Sequence, residues 1–243
     1  MKPFLLISTR DDERLVVEEH GSYCSLTGLL PEDLELRRIE RSPLGEVELG
    51  SYSGVILAGS PFTVSEPEEK KSSDELRVER ELATLLDRIV ECDFPFLGIC
   101  YGVGTVGRHA GARIDRTYGE STQAARISLT ADGLIDPLFR ELPIEFDAFV
   151  GHKEAISEVP AHLTVLASSP SCPVQAFRVG RNVYATQFHP ELDAKAMTSR
   201  VHAYVGHGYF DPGQVDVLLE HIQQADVRAS QMVLARFTEQ YLR

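Results

Sequence analysis

Residues 95–111 read PFLGICYGVGTVGRHAG and contain the most informative motif of the chain, Gly98-Ile99-Cys100-Tyr101-Gly102. A short apolar run precedes this motif and a stretch punctuated by glycines follows it. The pattern predicts a buried strand, a sharp turn and a helix that ends at Gly111. A G-x-nucleophile-x-G turn presents its central side chain at the end of a strand. Glycines are expected on either side because a Cβ at either position would strike neighbouring backbone. Cys100 is therefore the candidate nucleophile.

The first 110 residues alternate between predicted strands and helices. Apolar runs predict strands at 3–9, 54–58 and 95–99, and alternation of apolar and polar residues predicts a half-buried strand at 34–39. Two helical patterns lie between these runs: Leu15, Val16, Glu19 and Tyr23 in the first, and Leu82, Leu85, Leu86 and Ile89 in the second, where Ser72 and Glu75 have capping-box spacing. This order predicts an α/β fold with a mostly parallel open sheet and helices on both faces.

The second half of the chain has a different pattern. Strands are predicted at 163–167, 174–179 and 183–188, and Gly180-Arg181-Asn182 joins the last two into a hairpin, an antiparallel addition to the sheet. From Asp193 the sequence is helical in character. We therefore expect one domain, with residues 1–192 as its core and residues 193–243 as a helical C-terminal extension.

Composition excludes several classes of function. The chain has 243 residues, with 24 Lys and Arg against 37 Asp and Glu, a formal net charge of −13. Such an acidic protein repels phosphate backbones, so nucleic acid is not an expected partner. No apolar run approaches the ~20 residues that cross a bilayer, and the first residues do not resemble a signal peptide. The four cysteines lack CxxC spacing, so we expect no metal site and a cytoplasmic location with reduced thiols.

Two further segments at strand ends complement Cys100. His189 follows the last predicted strand and heads His189-Pro190-Glu191. Residues two apart in extended chain face the same side, so Glu191 is expected to orient the ring of His189 as a base for the thiol. The turn Gly59-Ser60-Pro61 ends another strand. A backbone N–H from Gly59 or Ser60, together with that of Tyr101, is expected to form an oxyanion hole.

Three segments together resemble the signature regions of class I glutamine amidotransferases: 54–61 (GVILAGSP), 95–111 and 186–191 (TQFHPE). The nearest subgroup is the amidotransferase domain of GMP synthase, and the resemblance spans about residues 3–192. It implies that Cys100 is the nucleophile, His189 the general base and acid, and Glu191 the residue that orients it. It also implies hydrolysis of glutamine through a γ-glutamyl thioester, with no cofactor and no metal, and with ammonia passed to a synthetase.

The resemblance is incomplete where the family holds its substrate. Members usually carry a glutamine four residues after the nucleophile, whereas this chain has Gly104. Ser60 replaces the second glycine of the usual Gly-Gly-Pro turn. In the segment 151–154 only His152 matches the family's Ser-His-Gly-Asp. His152 and Gly104 are therefore the candidate substrate-binding positions, in a pocket that we expect to be altered.

These departures leave three hypotheses for function. The first is a glutamine amidotransferase-type enzyme; because we expect no room for a synthetase domain in 243 residues, either a separate synthetase accepts the ammonia or the reaction is plain hydrolysis. The second, favoured by Gly104, is a hydrolase of γ-glutamyl amines. The third is a catalytically idle subunit that binds a partner. The oligomeric state stays open, with a homodimer as one arrangement.

Overall fold

The computed structural model describes residues 2–242 and is built on one large mixed sheet. The strands are β1 (Phe4–Ser8), β2 (Leu34–Arg38), β3 (Gly54–Leu57), β4 (Phe96–Ile99), β5 (Arg113–Asp115), β6 (Glu120–Leu129), β7 (Glu145–His152), β8 (Ala155–Glu158), β9 (Thr164–Ser168), β10 (Ala176–Val179) and β11 (Val183–Thr186). The helices are α1 (Glu13–Thr27), α2 (Ser73–Glu91), α3 (Tyr101–His109), α4 (Ala194–Ala203), α5 (Val215–Gln224) and α6 (Arg228–Tyr241).

The large sheet has the strand order β2-β1-β3-β4-β11-β10-β9-β6-β7. The neighbours from β2 to β11 pair in parallel, and those from β11 to β7 pair antiparallel. The predicted α/β class with a mostly parallel core is confirmed. Because β11 lies directly beside β4, the hairpin β10–β11 joins the parallel and antiparallel halves.

Alternating residues of the parallel strands pack into two separate cores. Leu5, Ile7, Val55 and Leu57 face α2 and α3 on one side of the sheet. Phe4, Leu6, Ile56 and Leu97 face the opposite side, where Val233, Leu234 and Phe237 of α6 cover them. Fully buried strands of this kind need cover on both faces, which explains their continuous apolar sequences.

Helix α1 buries the face that its sequence periodicity predicts. Its buried residues are Leu15, Val16, Glu19 and Tyr23, the set expected from periodicity. Asp12 caps its N-terminus by accepting hydrogen bonds from two backbone N–H groups. Helix α2 likewise begins after Ser72, whose hydroxyl accepts a hydrogen bond from the N–H of Glu75 at 3.1 Å.

The antiparallel part is larger than the predicted hairpin. Residues 113–158 form β5 to β8, for which we predicted no strands; β6 and β7 extend the large sheet, while β5 and β8 form a second, two-stranded sheet. In β6, small and polar side chains such as those of Ser121 and Thr122 leave little hydrophobic contrast along the strand. That weak alternation explains why the sequence pattern did not reveal it.

The C-terminal segment contains three α-helices with two connections between them. Helices α4, α5 and α6 are separated by short connections, and residues 204–211 between α4 and the turn before α5 are not helical. Helices α4 and α5 pack with Phe149 of β7 in a third apolar cluster. Among residues 2–242, no helix is both long and apolar enough to cross a membrane.

Candidate active site

The predicted nucleophile lies on a strained turn between β4 and α3. Cys100 has φ +53° and ψ −83°, a backbone conformation that residues other than glycine rarely adopt. Its N–H donates a hydrogen bond to the carbonyl of Thr186 at the end of β11, at 2.7 Å. The side chain is partly exposed. The surrounding structure therefore keeps Cys100 in an unfavourable backbone conformation, and this conformation sets the direction of its side chain.

The two glycines of the motif differ in how much space a side chain would have at each position. A Cβ on Gly98 would come within 2.8 Å of the Cα of Gly102, so no other residue fits there without a backbone shift. A Cβ on Gly102 would meet no atom within 4 Å outside its own stretch of helix. The expectation that both positions would clash is therefore wrong for Gly102, whose Cα is the atom that Gly98 approaches.

The structure brings the other two predicted catalytic residues to the same sheet edge. His189 follows β11, and its N–H donates to the carbonyl of Phe149, which fixes it to β7. Its Nδ1 lies 2.8 Å from Oε1 of Glu191, a side chain with no exposed surface. His189 Cε1 and Cys100 Cβ lie 2.9 Å and 3.6 Å from the position that a Cβ would take on Gly59. The side chains of Cys100, His189 and Glu191 therefore lie close together in this order, as one series at the sheet edge.

Burial and neighbouring charges shift the pKa values of His189 and Glu191 in opposite directions. Burial alone would lower the pKa of His189, but the charges of Glu191 and Cys100 outweigh it and raise that pKa to about 9. Burial would raise the pKa of Glu191, but the His189 ring and the Arg200 guanidinium hold it at about 2. The site therefore favours an ionised carboxylate beside a protonated ring at neutral pH.

Three residues that the sequence analysis did not select extend the series behind Glu191. Nη2 of Arg200, on α4, lies 3.2 Å from Oε1 of Glu191 and 2.6 Å from Oε1 of Glu19. Glu19 also accepts a hydrogen bond from Nε of Arg10 at 2.9 Å. All four side chains are buried. Their formal charges cancel, as buried ionic groups require.

The predicted oxyanion-hole residues lie beside Cys100. The N–H of Tyr101 belongs to the first turn of α3, where a helix provides no acceptor of its own. Gly59 must lack a side chain, because a Cβ would lie 2.9 Å from the ring of His189. Ser60 turns its hydroxyl back into the protein, where it accepts hydrogen bonds from the Thr9 hydroxyl at 2.6 Å and from the N–H of Phe62 at 3.0 Å. Ser60 and Cys100 line the same two cavities.

The two predicted substrate-binding positions have other contacts. A Cβ on Gly104 would meet Oε1 of Glu154 at 2.8 Å, so the carboxylate of Glu154 occupies the space above this glycine. That carboxylate accepts hydrogen bonds from the N–H groups of Val64 and Ser65, at 2.8 Å and 2.6 Å. It is therefore Glu154, and not Gly104, that borders the cavity beside Cys100.

His152 also lines this cavity beside Cys100, but protein groups contact both nitrogens of its buried ring. Its Nε2 lies 2.8 Å from Oε2 of Glu120, and its Nδ1 lies 2.9 Å from the carbonyl oxygen of Glu154. Ligand atoms of Glu120, His152 and Cys172 lie within 4.8 Å of one another, a spacing that would suit a metal ion. However, the Glu120 carboxylate already accepts a hydrogen bond from Gln175 at 2.6 Å. Protein donors thus account for this buried cluster.

Cavities open on two sides of Cys100. The first, which we call the apolar chamber, borders His189 and is walled mainly by Leu192, Met197, Val201, Tyr204 and Phe210. The second, the polar chamber, is lined by Thr63, Lys153, Glu154 and Gln187 among others. Tyr209 borders both chambers. Both cavities therefore give access to the Cys100 side chain.

Comparisons with known proteins show the family of this chain. The family model for class-I glutamine amidotransferases matches residues 29–204. The glutamine-hydrolyzing GMP synthase of Pseudomonas putida strain W619 is 27% identical over 191 residues, covering 76% of this chain and 32% of that protein. Its counterpart from Bacillus subtilis strain 168 is 34% identical over 152 residues, or 60% of this chain and 26% of that protein. The chain spans about a third of the length of the curated relatives it matches.

A solved structure supports the fold over the whole chain. The crystal structure of a glutamine amidotransferase from Thermotoga maritima matches with a TM-score of 0.77 at 21% identity, covering 100% of both chains. The family model includes Cys100, His189 and Glu191 within its matched range. This chain therefore belongs to the class-I glutamine amidotransferase family.

Proposed function

We propose that the protein hydrolyses the side-chain amide of glutamine, or of a related γ-glutamyl amide, through a thioester on Cys100. The observation that carries this proposal is the convergence of Cys100, His189 and Glu191 at neighbouring strand ends, with Cys100 held at φ +53°. Packing alone does not require this trio. Strained backbone next to a base and its orienting carboxylate supports nucleophilic catalysis.

The first half of the reaction acylates the thiol. The Cys100 sulfur attacks the amide carbon and forms a C–S bond, while the C=O electron pair moves to oxygen. Backbone N–H groups of Tyr101 and of the Gly59-Ser60 turn stabilise that oxyanion. When the intermediate collapses the C–N bond breaks, and the protonated ring of His189 gives its proton to the leaving amine.

The second half releases glutamate. The neutral ring of His189 takes a proton from water, and the resulting hydroxide attacks the thioester carbon. The C–S bond breaks and the sulfur leaves as thiolate, which restores the starting state with one water consumed. Glu191 keeps the ring in the same orientation for both proton transfers because its Oε1 lies 2.8 Å from Nδ1.

The fate of the ammonia is part of the proposal. The relatives named above are GMP synthases that hydrolyse glutamine, and the chain matches about a third of their length. By this likeness, we infer that an ammonia-accepting synthetase would be the partner if glutamine is the substrate. For a γ-glutamyl amine, plain hydrolysis would need no such partner.

Turnover and thiol labelling together test the proposal. Purified protein is incubated with glutamine and with γ-glutamyl amides while glutamate release is measured, and Cys100 is probed by mass spectrometry with a chloroketone analogue of glutamine. We expect Cys100→Ala to abolish both turnover and labelling. Cys92→Ala removes an exposed cysteine at the end of α2 and should change neither. Absence of turnover and of labelling in the wild type would instead support the idle-subunit hypothesis.

A further inference from the structure

We propose that Gln187 is a further catalytic residue, whose side-chain amide donates a hydrogen bond to the Cys100 sulfur and stabilises it as the thiolate. This inference rests on the proposed function, because it concerns the nucleophile of that reaction. The sequence motifs pointed to Cys100, His189 and Glu191 and indicated no role for Gln187.

The backbone of Gln187 is held beside that of the nucleophile. Gln187 directly follows β11 and lies two residues before His189. Its N–H donates to the carbonyl of Gln175 at 2.8 Å, and the carbonyl of the preceding residue, Thr186, accepts the N–H of Cys100 at 2.7 Å. The end of β11 therefore fixes the position of Gln187 relative to Cys100.

The side-chain amide of Gln187 has one polar contact among residues 2–242, and that contact is the nucleophile. Its Nε2 lies 3.9 Å from Sγ of Cys100, whereas its Oε1 has no hydrogen-bond partner in the described part of the chain. The residue is only 1% exposed. Burying an amide costs free energy unless the amide is hydrogen-bonded, and the sulfur is the group that bonds to this one.

Gln175 provides a comparison in the same part of the sheet. It is also fully buried, and its Nε2 donates to Oε2 of Glu120 at 2.6 Å and to the hydroxyl of Ser169 at 3.1 Å. The Oε1 atoms of both glutamines lack a partner among residues 2–242, so the two residues differ at Nε2. The amide of Gln175 supports a buried carboxylate, whereas the amide of Gln187 faces the reacting sulfur.

An uncharged donor suits a sulfur that must be ionised and still attack. A hydrogen bond to an ionised group is stronger than one to its neutral form, so the amide N–H favours the thiolate over the thiol. The proton that the thiol loses goes to the ring of His189. Because Gln187 carries no charge, it stabilises the thiolate without adding a cation to the buried ionic groups. Acylation removes the charge of the sulfur, and hydrolysis of the thioester restores both the thiolate and the hydrogen bond.

His189 and Gln187 approach the nucleophile from different cavities. Cys100 borders both chambers, His189 lines the apolar chamber and Gln187 lines the polar chamber. The charge of Cys100 and a hydrogen bond to it help to raise the pKa of His189 to about 9. The thiolate therefore has a charged donor in one chamber and an uncharged donor in the other.

The two cations that line the apolar chamber have carboxylate partners of their own. Arg10 and Arg200 are both paired with Glu19. Arg10 also donates to the hydroxyl of Tyr204 at 2.6 Å. Neither guanidinium group therefore depends on the sulfur as its counter-ion.

The ionisable groups that line the polar chamber also have other contacts. Lys153 lies over the ring of Tyr209, with its Nζ 4.5 Å from the ring centroid, and Glu154 accepts two backbone N–H groups. Both ring nitrogens of His152 contact protein oxygens. Burial raises the pKa of Tyr101 and of Tyr209, so both hydroxyl groups stay neutral at neutral pH. Among the described residues of this chamber, the side chain that hydrogen-bonds to the sulfur is that of Gln187.

Alkylation of Cys100 at different pH values tests the contact. The rate of carboxamidomethylation by iodoacetamide is followed at Cys100 by mass spectrometry, and Gln187→Met replaces the donor with an unbranched side chain of similar length. We expect the midpoint of the acid limb to rise by roughly 0.5–1 in pH, a three- to tenfold loss of thiolate below the midpoint. The acid limb of kcat/KM for glutamine should move with it. A midpoint equal to that of the wild type would overturn the inference.

Stability separates a catalytic role from a structural one. Gln187→Met removes a buried oxygen that has no partner among residues 2–242, so the free energy of unfolding in urea should be unchanged or higher. Gln175→Met is the matched control, because it removes the donor to Glu120 and Ser169. It should lower the free energy of unfolding and leave the alkylation midpoint in place. Equal midpoint shifts in the two variants would overturn the inference, since they would report a general change in the fold.

A second variant separates the loss of the donor from the change in shape. Gln187→Leu also lacks a donor but is branched, so its alkylation midpoint should rise by the same amount as that of Gln187→Met. A midpoint of Gln187→Leu at the wild-type value would contradict the role of the amide, because packing would then explain the effect of methionine.

The failures of the two proposals are distinguishable, because alkylation needs no substrate. An active wild type together with an unchanged midpoint in Gln187→Met would refute the role of Gln187 and leave the proposed function intact. A wild type that hydrolyses neither glutamine nor a γ-glutamyl amide would refute the proposed function, and the catalytic role of Gln187 would fail with it.

Discussion

The carboxylate of Glu191 sets the proton affinity of His189, and its removal tests the electrostatics of the site. Glu191→Gln keeps the shape and one oxygen acceptor but removes the negative charge that lies 2.8 Å from Nδ1. In the folded protein the pKa of His189 is raised from 6.5 to about 9, even though burial opposes the charged ring. At 1.36 kcal/mol per pKa unit this corresponds to about 3 kcal/mol in favour of the protonated form.

The expected change in activity follows from that shift. Burial lowers the pKa of His189, and without the charge of Glu191 only Cys100 would remain as a main cause that raises it. The pKa of His189 should therefore fall below about 9. If the ring returned to its ordinary value, its protonated fraction at pH 8 would fall about thirtyfold. We therefore expect the alkaline limb of the kcat/KM profile of Glu191→Gln to move to lower pH, with a lower maximum.

Stability gives an independent measurement of the same interaction. A raised pKa means that the stabilisation from His189 is fully present below about 6.5 and is lost as the pH rises through about 9. The free energy of unfolding of the wild type, measured by urea denaturation, should therefore decrease across this window. In Glu191→Gln the decrease should be smaller, because less of the shift remains.

A second buried pair provides the control. Glu120 and His152 are also 2.8 Å apart but lie in a different cluster, so Glu120→Gln should leave the alkaline limb in place. The refuting result is a Glu191→Gln profile whose alkaline limb coincides with that of the wild type. It would mean that the carboxylate does not control the charge of His189.

Two further predictions concern the backbone and the buried charges. Gly98→Ala should destabilise the protein by about 1–3 kcal/mol in urea denaturation, because the new Cβ would lie 2.8 Å from the Cα of Gly102. Gly102→Ala should be neutral or should stabilise the protein by up to about 1 kcal/mol. Equal losses of stability in the two variants would contradict the predicted clash at Gly98. Arg200→Met should cost about 3–5 kcal/mol by the same measurement, because Glu19 and Glu191 would lose the cation they share. A loss below about 1 kcal/mol would show that solvent or rearrangement compensates the two acids.

The parallel half of the fold and the catalytic candidates could be predicted because their signals are local. The parallel strands β1, β3 and β4 are continuous apolar runs that end at turns with glycine or polar residues, and β2 at the sheet edge alternates apolar and polar residues. Cys100 and His189 lie just beyond two such ends, and parallel strands bring their carboxyl ends to one edge. The strand order places β11 beside β4, which is why residues 89 positions apart in sequence become neighbours.

The substrate side of the site could not be predicted, because its contacts are distant in sequence. Glu154 fills the space over Gly104 and is held by N–H groups of Val64 and Ser65, about 90 residues earlier. No residue near Gly104 in the sequence indicates that the carboxylate of Glu154 occupies this space. The positions of Tyr204, Tyr209 and Phe210 in the wall of the apolar chamber were equally hard to predict, since helical periodicity gives no information about the loop that follows α4.

One signal for the buried charges was present in the sequence. Glu19 lies on the apolar face of α1 together with Leu15 and Tyr23, and a carboxylate on a buried face needs a partner. Its partners are Arg10, just after β1, and Arg200, on α4. The pattern could indicate that a cation was required, but only the fold could identify which one.

The charge balance also bears on how the C-terminal segment relates to the rest of the chain. Glu191 has no exposed surface, its Oε1 is shared by His189 and Arg200, and its Oε2 has no hydrogen-bond partner among residues 2–242. Arg200 belongs to the segment 193–243, so the core to residue 192 would by itself leave this carboxylate with only the ring of His189. An acid buried to this extent depends on every cation it has. We therefore propose that 193–243 is an integral part of the catalytic domain, since Arg200 adds to the charge of His189 in keeping the pKa of Glu191 low.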